Sequence, residues 1–161
     1  MDYFIGGFME NKFYKVLNER MNMKDFQYHI GLNYDDSGLY FADGKNICSY
    51  LSYGDKIATI LIPEDAHVVK MERQLKSDKI IVEEIYDLDD INTWKMLLSD
   101  KVDIHTEFDY ALRWNAKIGN LEVVKFLVEN GADIHAGNDL ALKFAKEENH
   151  NEVADYLQSI L

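Results

Sequence analysis

The chain has 161 residues, 47% apolar, 12% aromatic and 29% charged, which suits one medium folded domain or two small ones and excludes a wholly disordered chain. Seventeen Lys and Arg stand against 29 Asp and Glu, a net charge of −12, so nucleic acid and anionic membrane, both gripped by neutralising phosphate, are disfavoured partners. No apolar run reaches the ~20 residues of a membrane helix, Met1 to Phe8 lacks the basic start of a signal peptide, and the single Cys48 can form no internal disulfide, which together point to a reducing, intracellular setting.

In chain order, residues 9–21 read as a helix with Phe13, Val16, Leu17 and Met21 on one side. Phe26, Tyr28 and Ile30 alternate as in a half-buried strand. Gly31 to Ser37 reads as a loop, Leu39 to Ala42 as a strand, and 44–53 as a helix carrying Ile47, Tyr50 and Leu51. Gly54-Asp55 is a turn. Ile57 to Ile62 is almost continuously apolar and β-branched, the pattern of a central strand, and Pro63-Glu64-Asp65 breaks it. Val68-Val69 and Lys79 to Ile85 read as two further strands. Residues 1–86 are thus predicted to form a small α+β domain around a mostly antiparallel sheet.

From about residue 88 the pattern changes to an internal repeat. Slid by 30 positions, Lys95, Leu97, Asp103, Ile104 and His105 fall on Lys125, Leu127, Asp133, Ile134 and His135. Asp109, Ala111 and Leu112 fall on Asp139, Ala141 and Leu142, and Glu122, Val123 and Leu127 on Glu152, Val153 and Leu157. A fixed offset shared by separate stretches marks a repeat architecture. Each unit reads as two short helices, about 109–117 and 121–129 in the full one, with Asp109 placed as a cap. Leu121, Val124, Leu127 and Val128 make one apolar face. Gly119 and Gly131 suit left-handed helix ends, as does Asn149 at the position equivalent to Gly119. A lone helix at about 91–98 precedes this unit, and Asp90 sits at its start.

Asp109-Tyr-Ala-Leu-Arg-Trp-Asn-Ala-Lys-Ile-Gly119 and Asn120-Leu-Glu-Val-Val-Lys-Phe-Leu-Val-Glu-Asn-Gly-Ala-Asp-Ile-His135 resemble the two halves of an ankyrin repeat. The family's usual Thr-Pro-Leu-His is replaced by Tyr110-Ala-Leu-Arg113, and its 33-residue period is shortened to 30, which places a short inter-unit turn at Ala136–Asn138. Such units are similar to those of ankyrin-repeat proteins from giant DNA viruses of the mimivirus type. Gly38-Leu-Tyr-Phe-Ala-Asp43, Tyr53-Gly-Asp-Lys-Ile57 and Ile62-Pro-Glu-Asp-Ala66 resemble the α+β domain that accompanies those repeats. The expected fold class is therefore an α+β N-terminal domain (1–86) packed on a short all-α ankyrin stack (87–161). Two and a half units fall below the three or so a stack needs, so the first domain is expected to cap the second. The stretch 86–90 contains no linker-like residues.

No catalytic constellation emerges. There is no glycine-rich phosphate loop, and Ser49, Ser52 and Cys48 have no neighbouring base and orienter. His105 and His135 occupy equivalent turns, and packed helices ~8–10 Å apart hold such residues too far from each other to share a zinc ion. Each imidazole is expected to bond turn backbone. Cys48 is read as a small buried hydrophobe. No metal, cofactor or catalytic residue is predicted. One alternative comes from resemblance: Gly38-Leu-Tyr-Phe-Ala42 is similar to a segment of poly(ADP-ribose) polymerase-type transferases, which implies a nucleotide site at His29, Tyr40 and Glu83 or Glu84. The match departs from that family in the short spacing from His29 to Tyr40 and in Ile30, where glycine is usual. The alternative is an NAD-binding domain or a degenerate relative of that fold.

The ankyrin resemblance implies binding of another protein through the concave face and the turns. On this chain that surface comprises Arg113, Lys117, Lys143 and Glu147 with turn residues Asp103, Glu107, Asp133 and Asn138. Residues 87–161 carry 7 basic and 15 acidic side chains, a net of −8, which favours a mostly basic partner. Trp114 and Phe144 are either stack residues or anchors, and their equivalence at offset 30 favours packing. The competing reading gives the contact to the loop 31–37. The reading as a whole is a non-enzymatic, monomeric binding module, viral in type and directed at a host or viral protein, in the host cytoplasm or the virion, with no nucleic-acid or membrane partner.

Overall fold

The computed structural model describes residues 12–23 and 25–161. Seven strands come first: β1 (Phe13–Leu17), β2 (Asn22–Met23), β3 (Phe26–Gln27), β4 (Gly31–Asp43), β5 (Lys56–Leu61), β6 (Val68–Lys70) and β7 (Leu75–Asp87), with a 3₁₀ helix at Ile47–Tyr53. Five helices follow: α1 (Ile91–Ser99), α2 (Thr106–Ile118), α3 (Leu121–Glu129), α4 (Ala136–Glu147) and α5 (Asn151–Ile160).

Every pairing in the sheet is antiparallel, in the order β4-β1-β5-β7-β6, and β4 also pairs with β7. The β4–β7 pairing closes β4, β1, β5 and β7 into a small ring. Its inside is filled by Phe13, Leu17, Tyr28, Leu39, Phe41, Ala58, Ile60, Leu75, Ile80 and Val82. Alternation along β1 sends Tyr14 and Val16 the other way. There they join Ala42, Ile47, Cys48, Leu51 and Ile57 in one apolar cluster with Trp94, Leu97, Ala111, Leu112, Leu127, Leu142 and Leu157 of the helices. One core therefore runs from the outside of the ring into the last helix.

Three sequence expectations are corrected here. The helix predicted at 9–21 is strand β1 over Phe13–Leu17, all five residues buried; residues 9–11 lie outside the described ones. Phe-Tyr-Lys-Val-Leu needs both faces covered, by ring interior and helices, and a strand offers two faces where a helix offers one. The loop predicted at 31–37 is the first half of β4, in register from Gly31↔Val82 to Tyr34↔Lys79 before a bulge. Its Asp-Asp-Ser residues mark that bulge and not a chain reversal. The helix at 44–53 is the 3₁₀ helix, which buries Ile47, Cys48 and Leu51.

The strand Ile57 to Ile62 is β5, third of five in the sheet, and α1 and α3 fall where the periodicity places them. Asp90 accepts the amide of Asn92 at the start of α1. Gly119 closes α2 in the left-handed region at φ 80°, and Asn149 repeats it at φ 62°. A Cβ on Gly119 would collide with the imidazole of His150, so the missing side chain also lets the next unit stack closely.

Several contacts join the strands to the helices besides the shared core. The Tyr14 hydroxyl donates to Asp100 at 3.1 Å. The amide of Asp103 donates to the Gly44 carbonyl at 2.8 Å. The Thr93 hydroxyl of α1 donates to the carbonyl of Asp87, the last residue of β7, at 2.7 Å, and Arg73 forms an ion pair with Glu107. No helix among the described residues is long and apolar enough to cross a membrane.

Candidate interaction surface

Each repeat opens on the same unusual turn. In α2, Glu107, Phe108 and Asp109 stand in the left-handed region at φ 52°, 57° and 55°. In α4, Gly137, Asn138 and Asp139 do the same at φ 65°, 61° and 60°. Gly and Asn tolerate this conformation, whereas a bulky residue such as Phe pays roughly 1–2 kcal/mol for it. Regular helix begins only after the third of these residues.

A set of polar contacts holds the first turn in place. The Asp103 carboxylate accepts the amide of His105 at 2.9 Å, and Nδ1 of His105 lies 2.6 Å from Oδ1 of Asp109. The other Asp109 oxygen accepts the amide of Asp133, in the next turn, at 3.1 Å. Arg113 reaches back to the carbonyls of Glu107 (2.6 Å) and Phe108 (3.2 Å) while its guanidinium lies over the Tyr110 ring. The second turn repeats this: Asp133 accepts the amide of His135, His135 faces Asp139, and Lys143 donates to the carbonyl of Asn138.

Two sequence expectations change as a result. Asp109 does not cap its own helix; it ties one turn to the next. The imidazoles of His105 and His135 meet carboxylates, and it is their backbone amides that bond within the turn. Among the described residues, no group of three or more His, Cys, Asp or Glu side chains is placed to hold a metal.

The residues expected on the binding surface divide by position. Asp103, Glu107, Asp133 and Asn138 all lie in the two turns. Arg113 and Lys143 serve the turns as locks. Lys117 and Glu147 are exposed farther along α2 and α4, and the Lys117 ammonium stands 5.8 Å from the Phe144 ring centroid. Trp114 and Phe144 are half-buried. The residue that sequence reasoning missed is Phe108. It is 81% exposed, the most exposed large apolar side chain among the described residues, on the crest of the strained turn. The available signal was the offset of 30, which aligns Phe108 with Asn138.

The alternative nucleotide site does not assemble. Glu83 follows directly on Val82, which pairs with Gly31, so it lies near the His29 end of β4. Tyr40 pairs with Lys76, near the other end of the same strand. The partners of Gly31 and Tyr40 on β7, Val82 and Lys76, are six residues apart, roughly 20 Å along that strand. His29 and Glu83 are exposed to solvent.

An ankyrin-repeat family model matches residues 109–139. The chain is 35% identical over 130 residues to a protein of Acanthamoeba polyphaga mimivirus described as an ankyrin repeat protein, R896, covering 70% of this chain and 39% of that one. It is 33% identical over 121 residues to another so described, R229, covering 63% and 39%. It is also 31% identical over 129 residues to the uncharacterized protein R869 of the same virus, covering 70% of this chain and 94% of that one. The chain thus spans about 39% of the length of R896 and R229. No solved structure matches.

Proposed function

The chain belongs to the mimivirus-type ankyrin-repeat proteins, and we propose that it is a non-enzymatic module that grips another protein with the two turns at 103–110 and 133–140 and the adjoining faces of α2 and α4. Phe108 carries this reading. A bulky aromatic in the left-handed region is costly, and leaving its ring in water forfeits the burial that could offset the strain. Strain held in place by neighbouring contacts is a hallmark of binding segments. Here Arg113, Asp109 and the Arg73–Glu107 ion pair fix the turn in advance, so little ordering entropy remains to be lost on association.

In this reading Phe108 is the apolar anchor. Asp103, Glu107, Asp133 and Asn138 supply acidic and polar groups in the same two turns, and Lys117, Lys143 and Glu147 continue the surface along α2 and α4. The excess of negative charge suits a partner with a mostly basic surface. Residues 1–86 act as the lid of the stack, covering α1 and α2 through the 3₁₀ helix and the outer side of β1, while 87–161 present the gripping surface. The partner is a host or viral protein inside the infected cell or the virion, and the module acts as a monomer.

Affinity capture from a lysate of infected host cells, compared between the wild type and Phe108→Asn, tests the proposal. Asn is the residue at the equivalent position of the next turn, so the variant keeps the turn. Captured proteins that depend on Phe108 are expected. An identical set from both chains would overturn the reading.

A further inference from the structure

We propose that the cleft between β1, β4 and the 3₁₀ helix binds a small aromatic anion, its acid group held by the ammonium of Lys15. Strands β1 and β4 pair only at Phe13↔Asp43 and Tyr14↔Ala42 and then diverge. Lys15 stands at this fork. The cleft has a volume of about 290 Å³ and is walled by Tyr14, Tyr40, Tyr50, Tyr53, Met23 and Met71. That is the small end of the ~300–1,000 Å³ range of ligand sites, with room for one or two rings.

Lys15 is 2% exposed. Its Nζ donates to the Tyr40 carbonyl at 2.5 Å, lies 3.9 Å from Sδ of Met23 and stands 4.5 Å from the centroid of the Tyr28 ring. Since Met23 and Tyr40 both line the cleft, the ammonium sits at its wall. Among the described residues, these three neighbours are all neutral, and none can neutralise the charge. A buried cation without a counter-ion is expensive. The same cost lowers the amine to a pKa of about 8 through desolvation alone, which leaves it cationic near neutrality. A ligand that brings one negative charge on a flat apolar body meets both needs of the cleft: it neutralises Lys15 and stacks on tyrosine.

Titration calorimetry on the full chain, with indole-3-carboxylate and indole-3-carboxamide as paired probes, tests this proposal. The carboxylate is expected to bind at least about tenfold tighter than the amide, a difference of ~1.4 kcal/mol. Lys15→Met should melt no lower than the wild type and lose that preference. Tyr53→Ala, on an exposed part of the wall, should weaken both probes. The proposal fails if neither probe binds the wild type, if the two bind alike, or if Lys15→Met keeps the preference. It fails equally if Lys15→Met melts lower and the wild type prefers neither probe, since Lys15 would then serve only to hold the Tyr40 carbonyl. The wild-type comparison decides without any variant.

Discussion

The carboxylate of Asp109 accepts the backbone amide of Asp133 across 24 residues at 3.1 Å, so the first turn of the stack supports the second directly. Its other oxygen is held by His105, and the side chain is only 10% exposed, against 41% for the equivalent Asp139. Removing Asp109 leaves a backbone donor and an imidazole without their partner. Asp109→Ala should cost roughly 2–3 kcal/mol, whereas Asp139→Ala should cost under about 1 kcal/mol. Urea melts of both variants make the comparison; equal losses would show that the inter-turn bond contributes nothing.

Phe108→Asn should raise stability by roughly 0.5–1 kcal/mol, because Asn occupies the left-handed region with less strain. The same melts read this directly. By contrast, reversing the charge of Arg113 should destabilise the protein, since its guanidinium closes the turn on the carbonyls of Glu107 and Phe108. Reversal at Lys117, which is exposed and has no such role, should leave the melting temperature unchanged within a degree or two.

The buried Lys15 makes stability depend on pH in a known direction. Its pKa is about 8 in the folded chain and 10.5 when unfolded. Between those values the unfolded chain binds the extra proton, so stability contributed at Lys15 rises with pH across that window and is lost as pH falls through 8. Cys48, pushed up to about 12 by burial, works the other way and loses stability above pH 9. Tyr14 and Tyr28, also raised mainly by burial, add to that loss above pH 10. The clean readout is the difference between wild type and Lys15→Met. The variant's advantage at pH 7 should shrink by up to roughly 3 kcal/mol by pH 10.5. A constant difference would mean that the amine titrates alike in both states.

The stack should not stand without its lid. Residues 88–161 expressed alone would expose the faces of Trp94, Leu97, Ala111 and Leu112 that share a core with Tyr14, Val16, Ile47, Cys48 and Leu51. Thermal denaturation followed by circular dichroism should show no cooperative transition for that fragment. A sharp melt would overturn the capping proposal.

The helical half was legible in the sequence because its rules are local. Apolar spacing marked α3, the 30-residue offset carried it back to α1 and forward to α5, and Gly119 and Asn149 marked the ends of α2 and α4. The strand half was less so, since what makes β1 a strand is burial on both faces, and the covering residues come from Tyr28 through to Leu157. The left-handed turns at 107–109 and 137–139 were invisible for a related reason. Glu-Phe-Asp has no local preference for that conformation, which is imposed by Arg113, Arg73 and Asp133. Only Gly137-Asn138 hinted at it, in the second unit. The residues of the binding surface could be placed on turns by analogy with the repeat, but their division into locks and exposed positions required coordinates, and the exposure of Phe108 did too.

Amide hydrogen exchange on the complex with a protein captured through Phe108 tests the central claim most directly. Slowed exchange at 103–110 and 133–140, with the outer residues of β4 at 31–37 unchanged, is the predicted result. Slowing confined to 31–37, or to any segment that excludes both turns, would contradict it.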